Sequence, residues 1–182
     1  IINQAAGVID ANVSNNTLFV NPDAADGLVN HGLMRASSGG ILYLDGGGGG
    51  GFTNTGATIT ALDGSEVQLA NSAIITGGTL STAGTGVIRN IGTAALNSLT
   101  LGTFVGNNNT FTTITGIITN PASISLNSSN NVADLILNGN VTLTGGGTLN
   151  LVNYDRVYGN GGILTNLDNT IQGYTNSNGY SL

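Results

Sequence analysis

The side chains in this sequence that could do chemistry are nine carboxylates: Asp10, Asp23, Asp26, Asp45, Asp63, Glu66, Asp134, Asp155 and Asp168. Cleaving a glycosidic bond takes two of them converging within ~5–10 Å, one as acid and one as nucleophile or base. Asp63 with Glu66, or Asp45 with Asp63 from successive stretches of chain, could meet that distance. Most of the nine stand beside Gly, Asn or Pro, however, where an Asp side chain builds turns. His31 is the single histidine and cysteine is absent, so neither a zinc site nor a nucleophilic triad can be assembled. His31 sits between Asn30 and Gly32 and is expected to be an exposed turn residue. The run Gly46–Gly51 lacks the Gly-Lys-Ser/Thr and the helix that a phosphate-cradling loop requires. It reads as a flexible loop. No Gly-Gly-x-Gly-x-Asp series marks a calcium-binding repeat. The sequence therefore assigns no catalytic residue, no metal ligands and no cofactor.

Two weaker surface chemistries remain. The pairs Thr58/Thr60, Thr113/Thr115 and Thr142/Thr144 could form an outward hydroxyl array of the kind that binds ice, but alternating Thr suits any solvated strand, and the pairs are irregularly spaced. Tyrosines at 43, 154, 158, 174 and 180 gather toward the C-terminal end. They could stack on sugars, meet another subunit, or fill the core.

Composition narrows the setting. Of 182 residues, 30 are glycine and only 7% are charged, with no lysine; the cations are Arg35, Arg89 and Arg156. Hydrophobic residues make up 40%, too many for a disordered chain. A net charge of −6 and a pI near 4.1 argue against nucleic acid, whose phosphates demand clustered Lys and Arg. No apolar run reaches the ~20 residues of a membrane-spanning helix. The chain begins at Ile1 without Met or a leader, so a processed product or a segment of a longer repeat protein is expected.

The elements that must position these residues are short β-branched alternations cut by Gly, Asn, Asp or Ser. Examples are Thr17–Val20, Ile41–Leu44, Thr58–Thr60, Val67–Leu69, Ser123–Leu126 and Val141–Thr144. No stretch sustains a helical apolar stripe. A phrase recurs: Leu28-Val29-Asn30-His31-Gly32 with Ser38-Gly39-Gly40-Ile41-Leu42, then Phe52-Thr53-Asn54-Thr55-Gly56 with Leu62-Asp63-Gly64. Asn30 and Asn54 lie 24 residues apart. Ile75-Thr76-Gly77-Gly78-Thr79-Leu80 is echoed by Leu143-Thr144-Gly145-Gly146-Gly147-Thr148-Leu149. Self-similarity at this period predicts stacked coils, each too small to bury its apolar side chains alone. About eight coils are expected, starting near Ile1, Gly27, Gly51, Ser72, Thr93, Ile117, Val141 and Gly162. Asn30, Asn54 and Asn166 would form ladders along the axis, with Gly32, Gly56, Gly77, Gly78, Gly145 and Gly146 making the turns. A β-sandwich is the alternative, but it gives no reason for residue-level similarity between successive segments.

These phrases, with Leu149-Asn150-Leu151, Tyr158-Gly159-Asn160-Gly161-Gly162 and Leu164-Thr165-Asn166, resemble the right-handed β-helix passenger repeats of bacterial autotransporters and filamentous-haemagglutinin-like adhesins. The resemblance spans most of the chain and is weakest between Ile91 and Asn140. It implies an all-β fold, a single-stranded right-handed parallel β-helix, as one solenoid domain over residues 1–182. It also implies secretion to the cell surface and a non-enzymatic adhesive or structural role. Expected partners are adjoining repeats or other copies stacked end to end, and surface glycans. Two readings stay open beside it: a carbohydrate-active or tailspike-like groove of carboxylates, and ice binding.

Overall fold

The computed structural model describes residues 1–174, which contain strands and turns and no helix. Among these residues, then, no helix is long and apolar enough to cross a membrane. The chain winds as a right-handed parallel β-helix. Each coil lays one strand segment on each of three walls. Wall three is the simplest: Thr17–Val20, Ile41–Asp45, Glu66–Ala70, Val87–Asn90, Phe104–Gly106, Ser123–Leu126, Thr148–Val152 and Thr170–Tyr174 stack in chain order. Wall one takes Ile2–Asn3, Leu28–Asn30, Phe52–Thr53, Ala73–Thr76 and Arg156–Asn160. Wall two takes Val8–Ala11, Leu33–Ala36, Thr58–Ala61, Thr79–Thr82 and Leu164–Asn166. Between them, Thr93–Leu101, Thr110–Thr119 and Ala133–Thr144 run through the corner and serve both walls. The eight layers are linked by about seven turns. At ~4.8 Å per layer the rod is roughly 40 Å long.

All these ladders are parallel, which rules out the antiparallel sandwich. Parallel pairing places like on like. On wall three Leu42, Val67, Ile88, Phe104, Ile124 and Leu149 form one inward file by register, and all are buried. Similar files on the other walls meet it in a single core running along the rod. No coil buries its aliphatic side chains without the coil on either side.

Coil length varies widely, from 27 residues between register partners Asn3 and Asn30 to 16 between Ile88 and Phe104. The corners absorb the difference. This variation corrects three expected coil starts. Ile117, Val141 and Gly162 fall on or next to wall two, whereas the corresponding coils enter wall one at Thr110, Ala133 and Arg156. The early coils break at the corner between walls one and two. The later ones bend there through a residue of positive φ inside a continuous strand: Ser98 (47°), Gly116 (72°) and Gly139 (74°). Asn138-Gly139-Asn140, turn-formers by type, are accordingly part of the strand Ala133–Thr144.

Candidate functional site

A buried Asn marks the corner between walls one and two, followed by Gly two residues on at Asn30 and Asn54 though not at Asn3. Asn3, Asn30 and Asn54 occupy successive register positions there and are all buried. Asn3 Nδ2 donates to Asn30 Oδ1 at 2.7 Å, and Asn30 Nδ2 donates to Asn54 Oδ1 at 2.7 Å. Asn30 Oδ1 also accepts the Gly32 amide at 3.2 Å, which explains the two-residue spacing. The chain turns back at once, and a side-chain oxygen satisfies an amide that the strand has abandoned. Gly32 is obligatory because a Cβ would strike the carbonyl oxygens of Gly7 and Gln4. Gly56 sits at φ 74° in open space.

The ladder stops at Asn54, whose Nδ2 faces the carbonyls of Ala57, Gly77 and Thr79 at 3.2–3.4 Å. Gly77 (φ 72°) lies against Thr55 and Gly78 (φ 70°) against Asn54, where a Cβ would run into the Asn54 carbonyl oxygen. Gly145 and Gly147 do the same around Asn120, while Gly146 (φ 75°) sits in open space. The Asn120 side chain is buried and donates to Thr148 O and Asn169 Oδ1. Its Oδ1 accepts no hydrogen bond among the described residues, and the Gly147 amide donates instead to the Asn120 backbone carbonyl. The two glycine phrases thus pack against a buried Asn at different corners, Ile75–Leu80 between walls one and two and Leu143–Leu149 between walls two and three. Asn166 also belongs to the latter corner. It pairs in register with Leu143 and exchanges hydrogen bonds with Asn169, so it is not part of the Asn30–Asn54 file.

The sequence reading passed over Asn3, Asn90, Asn120 and Asn169. Asn90 carried the same signal, Asn90-Ile91-Gly92: its Oδ1 accepts the Gly92 amide at 2.9 Å, while Nδ2 donates to Thr112 Oγ1 at 2.8 Å. It sits at the corner between walls three and one, out of phase with the others.

Most of the carboxylates are tied down singly; Asp134 and Asp155, on neighbouring coils, are near enough for the Asp134 charge to act on Asp155. Asp10 accepts from Arg35 and Ser37 across one coil, and the Arg35 bond is the main influence holding its pKa below the usual range. Glu66 is bound by Gln68 and Arg89. Burial pushes its pKa up, but these bonds outweigh burial and leave it lowered. Asp134, with no exposed side-chain surface, pairs with Arg156 at 2.6 Å. Asp63 accepts both the backbone and the hydroxyl of Thr85 and has a lowered pKa, chiefly through the backbone bond. Asp155 accepts from the amides of Ser128 and Val152, yet burial prevails and raises its pKa. Asp23, Asp45 and Asp168 bond to neighbouring turns. The suggested Asp45–Asp63 pair is separated by the wall-three strand. Asp45 is opposite Ala70, the last residue of Glu66–Ala70, and Asp63 precedes the first. That strand spans ~17 Å. Among the described residues no group of three or more His, Cys, Asp or Glu could hold a metal ion.

His31 is exposed and its amide donates to Asn3 O. Gly46–Gly51 is not the bulging loop expected from its composition. Its amides bond Ala70 O, Asp45 Oδ1, Asn21 Oδ1, Gly46 O and Pro22 O. Side chains at Gly46, Gly48 and Gly50 would collide with the backbones of Ser72, Pro22 and Asp23 in the adjacent coils. The run is glycine because three loops of backbone are pressed together there. Tyr43 stacks beside the exposed Phe19, with ring centroids 4.8 Å apart, and Arg156 lies over the Tyr158 ring. Tyr180 lies outside the described residues. Comparison with models of protein families, with curated proteins and with solved structures finds no match to this chain.

Proposed function

We propose that this chain is a non-enzymatic, extracellular β-helix that acts as a stiff adhesive or structural rod and associates end to end with other copies. The observation that carries this reading is the uncovered first layer. Ile1, Ile9 and Leu18 stand in the inward files of Leu28, Met34 and Leu42. Their partners are fully buried, while Ile1 and Leu18 are 60% and 38% exposed and Ile9 is half-buried. An apolar core section beside an unpaired strand edge is a surface made for another coil. The engaged carboxylates support a non-enzymatic role. Eight of the nine accept hydrogen bonds that fasten turns or neighbouring coils. The Phe19–Tyr43 pair, beside Asn71 Nδ2 at 3.5 Å from the Tyr43 hydroxyl, offers the apolar face and polar rim that a sugar ring requires.

The test is sedimentation of the purified chain over a range of concentrations, with Leu18→Lys as the comparison and electron microscopy of the heavy species. Concentration-dependent axial stacks that the lysine suppresses are expected. A chain that stays monomeric at high concentration would overturn end-to-end stacking.

A further inference from the structure

The structure aligns threonines that the sequence scatters. Thr58 pairs in register with Thr79, Thr79 with Thr100, Thr100 with Thr119, and Thr119 with Thr144. These five are consecutive layers of wall two. The two register shifts of the shared strands fall in the corner, between Asn97 and Leu99 and between Ile114 and Gly116. From Leu99 and Gly116 onward the file is unbroken. Ile59, Leu80, Leu101, Ile118 and Leu143 are buried beside it, so the threonines point outward, and all five are half-exposed. Only Thr144 spends its hydroxyl inside the protein, on Asp168 at 3.3 Å. The hydroxyls of Thr58, Thr79, Thr100 and Thr119 face solvent.

We infer that wall two is an ice-binding face, an activity separate from the rod-like role proposed above. Three properties of the file support this. Its repeat is set by interstrand hydrogen bonding at ~4.8 Å, close to the repeat of oxygen atoms along a row in the basal plane of hexagonal ice. Each threonine offers a hydroxyl to hydrogen-bond lattice water and a methyl to order it, on a β-branched side chain with few rotamers to lose. The strands that carry the file, Thr58–Ala61, Thr79–Thr82, Leu99–Leu101, Gly116–Thr119 and Val141–Thr144, contain no charged residue, so nothing on them holds a disordered hydration shell. Flanking hydroxyls at Ser81 and Thr142, two residues to either side of the file, broaden the face. A single threonine–water contact is weak, but a rigid file engages a lattice at many points together, and such contacts multiply in affinity.

The experiment is ice-recrystallisation inhibition by the purified chain, with thermal hysteresis measured in parallel. Thr79→Tyr and Thr119→Tyr each raise a bulky ring from the middle of the file, and Ser125→Tyr places the same ring on wall three as a control. Circular dichroism and melting temperature establish that each variant is folded. The expected result is inhibition by the unmodified chain and by Ser125→Tyr, with both threonine variants needing about tenfold more protein for the same effect. Absence of inhibition by the unmodified chain overturns the inference, as does equal inhibition by folded threonine variants.

Discussion

Asn30→Ala removes the middle of the corner ladder, and its cost can be worked from the hydrogen bonds around it. Asn54 Oδ1 is buried and accepts only from Asn30 Nδ2, so it is left without a partner; the Gly32 amide loses Asn30 Oδ1. Asn3 Nδ2 retains Leu33 O at 3.2 Å. A buried polar atom left unpaired costs about 1–3 kcal/mol, and a neutral hydrogen bond contributes about 1 kcal/mol. The variant should therefore lose about 2–4 kcal/mol. Asn3→Ala tests the accounting, because Asn30 Oδ1 would still accept from Gly32 and no buried atom would be orphaned. Its loss should be about 1 kcal/mol. For a chain of this size each kcal/mol lowers the melting temperature by about 2–4 °C, so about 10 °C separates Asn30→Ala from the unmodified chain and about 3 °C separates Asn3→Ala. Urea and thermal melts give the totals. Hydrogen exchange should show the loss concentrated in the first three coils, because coils couple mainly to their neighbours. Equal losses in the two variants, or a loss under about 1 kcal/mol for Asn30→Ala, would refute the claim that ladder position sets the cost.

Arg156→Leu leaves Asp134 buried beside an apolar side chain; a loss of about 2–4 kcal/mol is expected, toward the low end because Arg156 is itself 42% exposed, and adding Asp134→Asn should recover part of it in the same urea titration. Gly78→Ala forces a Cβ into the Asn54 carbonyl at φ 70°, whereas Gly56→Ala meets only the strain of φ 74°; comparative melts should show Gly78→Ala losing several-fold more than the ~1 kcal/mol expected at Gly56. Asp10, Asp63 and Glu66 have folded pKa values below their unfolded ones, so their stabilisation is complete above the ordinary carboxylate range of about 4 and is lost as pH falls through the folded values. Asp155 runs the other way: its pKa is raised, and its contribution is present below the unfolded value and lost as pH rises through the folded one. With three groups against one, urea midpoints should fall between about pH 5 and pH 3, and Asp63→Asn should make that fall shallower.

How far the sequence reveals this molecule depends on where the chain breaks. Through Asn90 each coil interrupts its strands with Gly, Asn or Asp, and strands such as Ile41–Asp45 and Glu66–Ala70 can be read from alternation alone. From Thr93 the corner lies inside a strand, marked by a single residue such as Ser98 or Gly116. Alternation passes through it with little sign, and the phase of the reading slips. Asn30 and Asn54 look equivalent because they share a corner. Asn166 carries the same apolar neighbours but stands at another corner. The threonine file is hidden for a related reason. Its members are spaced unevenly along the chain because the coils are of uneven length, and only the register shows them side by side. The packing around Gly46–Gly51 was invisible because a glycine run in a flexible linker and one in a crush of backbones have the same composition.

The parallel register has a consequence for how the protein comes to exist. Partners in successive coils lie only 16 to 27 residues apart, so most of the native pairings of a coil are with the coil just before it and the one just after. Low sequence separation favours rapid folding. It also means that a growing end needs nothing from the distant part of the chain, since each arriving coil finds its template, both the unpaired edge and the open apolar files, already in place. A polypeptide that emerges gradually, from a ribosome or through a narrow pore, is then never waiting for its last residue. It winds as it is fed, and each added coil holds the previous one in place.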